Sequence, residues 1–365
     1  MKIPNILFST TRQWNPGDEW IRFGIERLLK EVIGDFNPII YNRNPQIRAS
    51  ESVLNPLHRL KHPGFIQNRG ILEAILQIGF WDNSFKPGQS GDWIDLVVFA
   101  GTPEWEGPRN RSLHKLINKY NIPTIFLGIG NSAPLSFDKL SKAVKNSLKN
   151  AELLTLRSEA TVPSFPIENM RSQAQFIPCP ALLSSPTEKK YEKSETIGLV
   201  FATDKAVDSN RVPPKTARHL HDLYRACIKK YSCELICHYI DELPEAARLF
   251  PDVPIRYSYD AGAYFDIYRS MDAVVSARVH GIGIAASLGI PGLSIGHDHR
   301  ADTTKGFLSD SINVFDSLEN LMAQVDKFID KCPEQHLRLV KHKNATYLKY
   351  ISILKNTDII KQLRG

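Results

Sequence analysis

Short aliphatic and β-branched runs recur along the chain, most of them separated by segments whose apolar residues repeat with helical spacing. The first set is IPNILFST (3–10), PIIYN (38–42), IDLVVFAG (94–101), PTIFLGIG (123–130), ELLTLRS (152–158) and AQFIPCP (174–180). The second is TIGLVFAT (196–203), CELICHYI (233–240), IRYSY (255–259), AVVSAR (273–278), GLSIG (292–296) and INVFD (312–316). Near-continuous apolar strands alternating with helices predict parallel sheets covered on both faces. Between the sets lies SSPTEKKYEKSET (184–196), polar and containing proline, which reads as a linker. The pattern predicts two doubly wound α/β domains, residues 1–185 and 195–330, facing each other across a cleft, with C-terminal helices over 331–365. Ligands of such sheets bind beyond the carboxyl ends of the strands. Residues 41–93 break the alternation and read as an irregular insertion with one helix near 71–79, either a binding loop or a surface excursion.

With 365 residues and 42% hydrophobic content the chain can bury a core in each of two domains. No apolar run approaches the roughly 20 residues that span a bilayer. The opening MKIPNILFST reads as a strand rather than a signal peptide, which predicts a cytoplasmic protein. The five cysteines (179, 227, 233, 237 and 332) form no CxxC pair and read as buried thiols. A net charge of +7 allows anionic partners, whether phosphorylated ligands, acidic glycans or a membrane surface. Nucleic acid is excluded as a partner: there is no zinc-finger spacing, interleaved basic and aromatic strand or basic recognition helix. From Lys327 the chain is helical and rich in lysine, a pattern of a solvated face or of contact with a membrane surface.

The chemistry concentrates at strand ends. In MDAVVSARVHGIGIAASLGIPGLSIGHDHR (271–300), AVVSA is a strand and GIGIAASLGI a small-residue helix closed by Gly289 and Pro291. Arg278 and His280 therefore fall at a strand-to-helix junction, where free N–H groups and the helix dipole favour an anion and an arginine adds a bidentate fork. The alternative is that Arg278 forms a structural ion pair and His280 packs or caps. GHDHR (296–300) follows the next strand on the same rim, but its His-Asp-His succession has no established metal-ligand spacing, and no metal is expected. In NPGDEWIRFGIERLLKEVIG (15–34), Ile21, Ile25, Leu28, Leu29 and Val32 make a helix face, Asp18 reads as its N-cap, and Asn15 and Gly17 are left for approach to a ligand. Gly101, Thr102 and nearby Glu104 end one strand; Gly128, Gly130, Asn131 and Ser132 end another; Arg157 ends a third. His238 ends a fourth and reads more readily as structural.

Together NPGDEWIRFGIERLL, VVFAG, PTIFLGIGNSAP, LTLRSEAT and above all the 271–300 segment resemble the polysaccharide pyruvyl transferase family. The last segment looks like the family's S-x-R-x-H signature followed by a small-residue helix, Gly-x-Pro and a strand. The glycine run usual after the third strand is reduced here to AGTPEW, and residues 41–93 match no family pattern. The resemblance implies a Rossmann-like, GT-B-like architecture and transfer of a pyruvyl group from phosphoenolpyruvate to two hydroxyls of a sugar, giving a cyclic ketal and phosphate. It implies Arg278 and His280 as donor-binding and catalytic; a doubly anionic donor calls for a second arginine, Arg157, and His238, His297, Arg300 and Lys305 are assigned to the donor side with it. The acceptor side is assigned to Asn15, Gly17, Asp18, Gly101, Thr102, Glu104, Gly130 and Asn131. Phosphoenolpyruvate enters as co-substrate, and no cofactor is expected. The acceptor is a sugar or a lipid-linked glycan, so peripheral contact at the inner face of a membrane is part of the expectation. Two other readings stay open. One is a nucleotide-sugar glycosyltransferase, for which Glu242 or Asp260 would take the ribose. The other is a non-catalytic protein that binds an anionic glycan.

Overall fold

The computed structural model describes residues 2–11, 15–42, 90–101, 110–130, 137–165, 170–191, 195–205, 212–296 and 302–364. Most of the insertion read at 41–93, including its helix near 71–79, lies outside them.

Every apolar run of the sequence overlaps one strand. The first domain runs β1 (Asn5–Thr10), α1 (Pro16–Ile33), β2 (Asn37–Asn42), β3 (Leu96–Ala100), α2 (Arg111–Tyr120), β4 (Thr124–Ile129), α3 (Lys142–Lys149), β5 (Leu153–Leu156) and β6 (Ala174–Phe176). The second runs β7 (Thr196–Val200), α4 (Pro214–Lys230), β8 (Ser232–Ile236), α5 (Leu243–Leu249), β9 (Ile255–Arg256) and α6 (Tyr264–Arg269). It continues with β10 (Ala273–Ser276), α7 (Val279–Ser287), β11 (Gly292–Gly296), α8 (Asp302–Lys305) and β12 (Asp310–Asn313). Helices α9 (Leu318–Asn356) and α10 (Asp358–Leu363) close the chain.

Both sheets are parallel, ordered β2-β1-β3-β4-β5-β6 and β12-β11-β10-β7-β8-β9. The strand order reverses between β1 and β3 in the first sheet and between β7 and β10 in the second, which is where such sheets open a crevice for ligands. All five residues of β3 and all six of β4 are buried, as covering on both faces requires.

Helix α1 begins earlier than Asp18. Asn15 is its N-cap, the side chain accepting the Gly17 N–H at 3.1 Å, and Pro16 supplies the first helical residue. Asp18 instead lies in the first turn, buried, beside the positive end of the helix dipole. The apolar face of α1 joins a core shared by both domains, in which Trp20, Ile25 and Leu28 meet Tyr264, Tyr268, Ile284 and Ala285. Trp20 Nε1 donates to the Ala261 carbonyl at 2.9 Å, fastening α1 to the second domain.

Helix α9 has a buried face as well as a solvated one, because it crosses back over both domains. Lys343 is 3% exposed and donates to the carbonyls of Ser185 (2.9 Å) and Ser287 (2.6 Å) while pairing with Glu188 at 2.7 Å. Tyr350 donates to the Pro178 carbonyl at 2.9 Å, and Leu339 and Leu354 enter the shared core. All five cysteines are free thiols, and only Cys233 is incompletely buried.

Candidate active site

The junction between β10 and α7 is built by a serine bridge. Ser276 Oγ accepts the Arg278 N–H and donates to the Arg278 carbonyl, both at 2.9 Å. This leaves Arg278 extended as the N-cap of α7 (φ −104°, ψ 123°) and puts His280 in the helix's first turn. Gly281 packs against Ser276, where a Cβ would lie 2.6 Å from Oγ.

Arg278 turns back from the cleft into the second domain. It pairs with Glu242, donates from Nε to the Phe201 carbonyl at 3.2 Å, and stacks over the Tyr239 ring with 4.5 Å to the centroid. This is the ion-pair alternative of the sequence reading, and topology explains it. Strand β7 pairs with β10 and β8 with β7, so their carboxyl ends bring Phe201 and the 238–242 turn against Arg278. Glu242 has no exposed surface and its other oxygen accepts the N–H groups of His238 (3.0 Å) and Tyr239 (3.2 Å). Burial lifts its carboxyl to about 7, although Arg278 and the two N–H groups pull it down. Burial also depresses the Arg278 guanidinium, but Glu242 more than offsets this and the net shift is upward. The pair is worth more for placement than for stability, since desolvation cancels much of the attraction.

His280 faces the first domain. Its Nε2 is 3.3 Å from Arg157 Nη1, a contact between residues 123 apart in sequence. Arginine is always a donor, so Nε2 accepts, and the imidazole in this contact is neutral with its proton on Nδ1. The other side of the ring rests on the start of α1: a Cβ on Gly17 would lie 2.1 Å from Nδ1. Arg157 follows β5, is 4% exposed, and passes so close to Gly130 that a Cβ there would lie 2.5 Å from Nε. Among the described residues its buried Nε has no hydrogen-bond partner. Tyr239 OH donates to Asn15 Oδ1 at 3.5 Å, adding a further polar link between the domains. The structure thus brings together Asn15, Gly17, Gly130, Arg157, Arg278 and His280 at the meeting of two helix N-termini.

Other candidates sit elsewhere. His238 is buried, its Nε2 2.8 Å from Tyr268 OH and its ring edge-on to Trp20 at 5.1 Å, and burial holds its pKa well below the ordinary value, with the charge of Arg278 adding to the depression. Gly101 (φ +60°) lies over Ile21, which fills the space a Cβ would need. Lys305 is exposed and pairs with Asp302 at 2.5 Å; Asp302 also accepts from Ser158, next to Arg157, at 3.2 Å. Thr102, Glu104, Asn131, His297 and Arg300 lie outside the described residues. Sequence reasoning missed the roles of Tyr239 and of Glu242, which it weighed only as a ribose ligand. The signal was present: an acid three residues after Tyr239 at a strand end closes onto the backbone N–H of the turn's start.

A family model, polysaccharide pyruvyl transferase, matches residues 15–299 and so spans both domains and every element of this site. The chain belongs to the polysaccharide pyruvyl transferase family. Membership makes it a transferase acting on a sugar or polysaccharide acceptor. No curated protein matches the sequence. Among solved structures it is similar to the UDP-GlcNAc 2-epimerase of Neisseria meningitidis bound to UDP-GlcNAc (TM-score 0.53, 12% identity, 97% of this chain and 100% of that one). It is similar also to a trehalose-6-phosphate synthase (0.54, 12%, 99% and 99%) and to a putative UDP-N-acetylglucosamine 2-epimerase from Listeria monocytogenes (0.52, 12%, 92% and 90%). At that identity the likeness is one of fold, and the fold is GT-B-like.

Proposed function

We propose that this family member moves the pyruvyl group of phosphoenolpyruvate onto two hydroxyls of a sugar, forming a cyclic ketal and releasing phosphate. The observation that carries the reading is the contact of His280 with Arg157 across the cleft. Phosphoenolpyruvate presents a carboxylate and a phosphate, and this site offers an arginine beside the N-terminus of α7. Above about pH 7, where Glu242 is ionised, it matches the Arg278 charge, so the larger share of donor binding then falls to Arg157 and the α7 N–H groups. His280, neutral, takes the proton of the first hydroxyl on Nε2 once Arg157 has turned from it to the donor anion, and delivers that proton to the methylene carbon. That hydroxyl oxygen bonds to the resulting cationic carbon. The carbon–oxygen bond to phosphate then breaks, and the second hydroxyl closes the ring. One hydroxyl proton ends on the new methyl group and the other on the phosphate. The scheme uses no cofactor. Acceptors carried on a lipid at the inner face of a membrane fall within the same reading.

The nucleotide-sugar alternative loses one of its two candidate acids. Glu242 is wholly buried against Arg278, and Asp260 Oδ1 accepts the Gly262 N–H at 2.9 Å. Calorimetry with phosphoenolpyruvate and a panel of nucleotide sugars, on the wild type and Arg157→Ala, tests the proposal. Donor binding that disappears in the variant, followed by phosphate release with a sugar acceptor, is expected. Binding of a nucleotide sugar in preference to phosphoenolpyruvate would move the chain to glycosyl transfer.

A further inference from the structure

The outward face of α9 carries the two most exposed large apolar side chains among the described residues, Leu337 at 70% and Leu348 at 58%. At 3.6 residues per turn and 1.5 Å rise they lie nearly in line, about 17 Å apart. Between and beside them Arg338, Lys341 and Lys355 are exposed, with Asn344, Ala345 and Ser352 completing the stripe. From Lys331 to Asn356 the exposed charged residues are Lys331, Glu334, Arg338, Lys341, Lys349 and Lys355, so one acid stands against five cations. The acids Asp326 and Asp330 come earlier, and Asp326 is already bonded to Lys230 and Tyr231. The orientation of this stripe is fixed, because Leu339, Lys343, Tyr350 and Leu354 anchor the opposite side of the helix in the protein. No helix among the described residues is long and apolar enough to cross a membrane.

We propose that this face docks the chain peripherally on an anionic bilayer, with Leu337 and Leu348 entering the interface and Arg338, Lys341 and Lys355 lying among the headgroups. Charge complementarity and the leucines together select the partner. A polyanion such as nucleic acid would neutralise the cations and leave both leucines in water, whereas the headgroup boundary accommodates leucine and cation at once. The inference deepens the lipid-linked acceptor reading. It does not need the donor chemistry, so the two fail separately.

The test is co-flotation with phosphatidylcholine vesicles, with and without a third of phosphatidylglycerol, using the wild type, Leu337→Glu/Leu348→Glu and Arg338→Glu/Lys341→Glu. All four positions are exposed, so thermal melts should coincide and report intact folding. The wild type is expected to float with the anionic vesicles only, and each double variant to bind about tenfold less or weaker still. Absence of wild-type flotation overturns the proposal. So does undiminished flotation of the leucine variant, which would mean nonspecific adsorption of a cationic chain. A concentration-dependent dimer that the leucine variant lacks, without flotation, would make the face a contact between copies.

Discussion

Arg157 of the first domain holds His280 of the second, Nη1 to Nε2 at 3.3 Å, so the site's base is complete only when the two domains are together. This separates the two residues experimentally. His280→Ala should lower kcat by about a hundredfold or more, as loss of a general acid–base does, with donor affinity changed little. Arg157→Ala should instead raise KM for the donor. The kinetic measurement is phosphate release under saturating acceptor. Wild-type turnover in His280→Ala would remove it from the chemistry.

Gly17 provides a second handle on the same histidine. A Cβ at this position would lie 2.1 Å from Nδ1 and 2.7 Å from the His280 Cβ, so in Gly17→Ala the ring must swing away and the starts of α1 and α7 must also part, since rotating the ring leaves its Cβ in place. Alanine is also the better helix former, by up to about 1 kcal/mol. That gain offsets only part of the cost of parting the two helices, so the variant should melt below the wild type and fall to the activity of His280→Ala. A variant that kept both would show that His280 works from another position.

The strands were legible because parallel strands covered on both faces carry nearly unbroken apolar runs, as LVVFA and TIFLGI do here. Arg157 and His280 were legible as strand-end residues, but their meeting was not. It depends on how α1 and α7 dock across the domain boundary, a contact no local spacing encodes. Arg278 was read as facing the cleft because its partner Glu242 lies 36 residues away, on a turn brought near only by strand order. The start of α1 was misplaced for a local reason: Asp18 and Asn15 are both good caps, and Pro16 decides between them. In α9 a lysine-rich composition concealed a buried face, and one of those lysines, Lys343, is itself inside.

Trp20 should report on the shared core. It is wholly buried among His238, Tyr264 and Tyr268 and donates to Ala261 of the other domain. Trp20→Phe should cost about 1–2 kcal/mol, the bond and the desolvated carbonyl it leaves behind. Trp20→Ala should cost roughly 3–5 kcal/mol and split denaturant unfolding into two transitions. Circular dichroism and tyrosine fluorescence would be followed together. One coincident transition in the alanine variant would mean that α9, with Lys343 and Tyr350, suffices to couple the domains.

Glu242 makes a prediction whose sign depends on pH. Its carboxyl titrates near 4.5 in the unfolded chain and is lifted to about 7 in the fold, mainly by burial. Between those values the folded protein holds one more proton than the unfolded one, so stability falls as pH rises through this window. The contribution is fully present below 4.5 and lost as pH passes about 7. Glu242→Gln removes the titration while keeping the shape and a carbonyl oxygen for the N–H groups of His238 and Tyr239. Plotted against pH, the unfolding free energy of the wild type should slope downward more steeply than that of the variant, by up to about 1.4 kcal/mol per unit. Parallel curves would mean that Arg278 and the two N–H donors keep the carboxylate charged throughout. The ion pair would then be permanent, and Arg278 would carry no uncompensated charge toward a donor at any pH in the window.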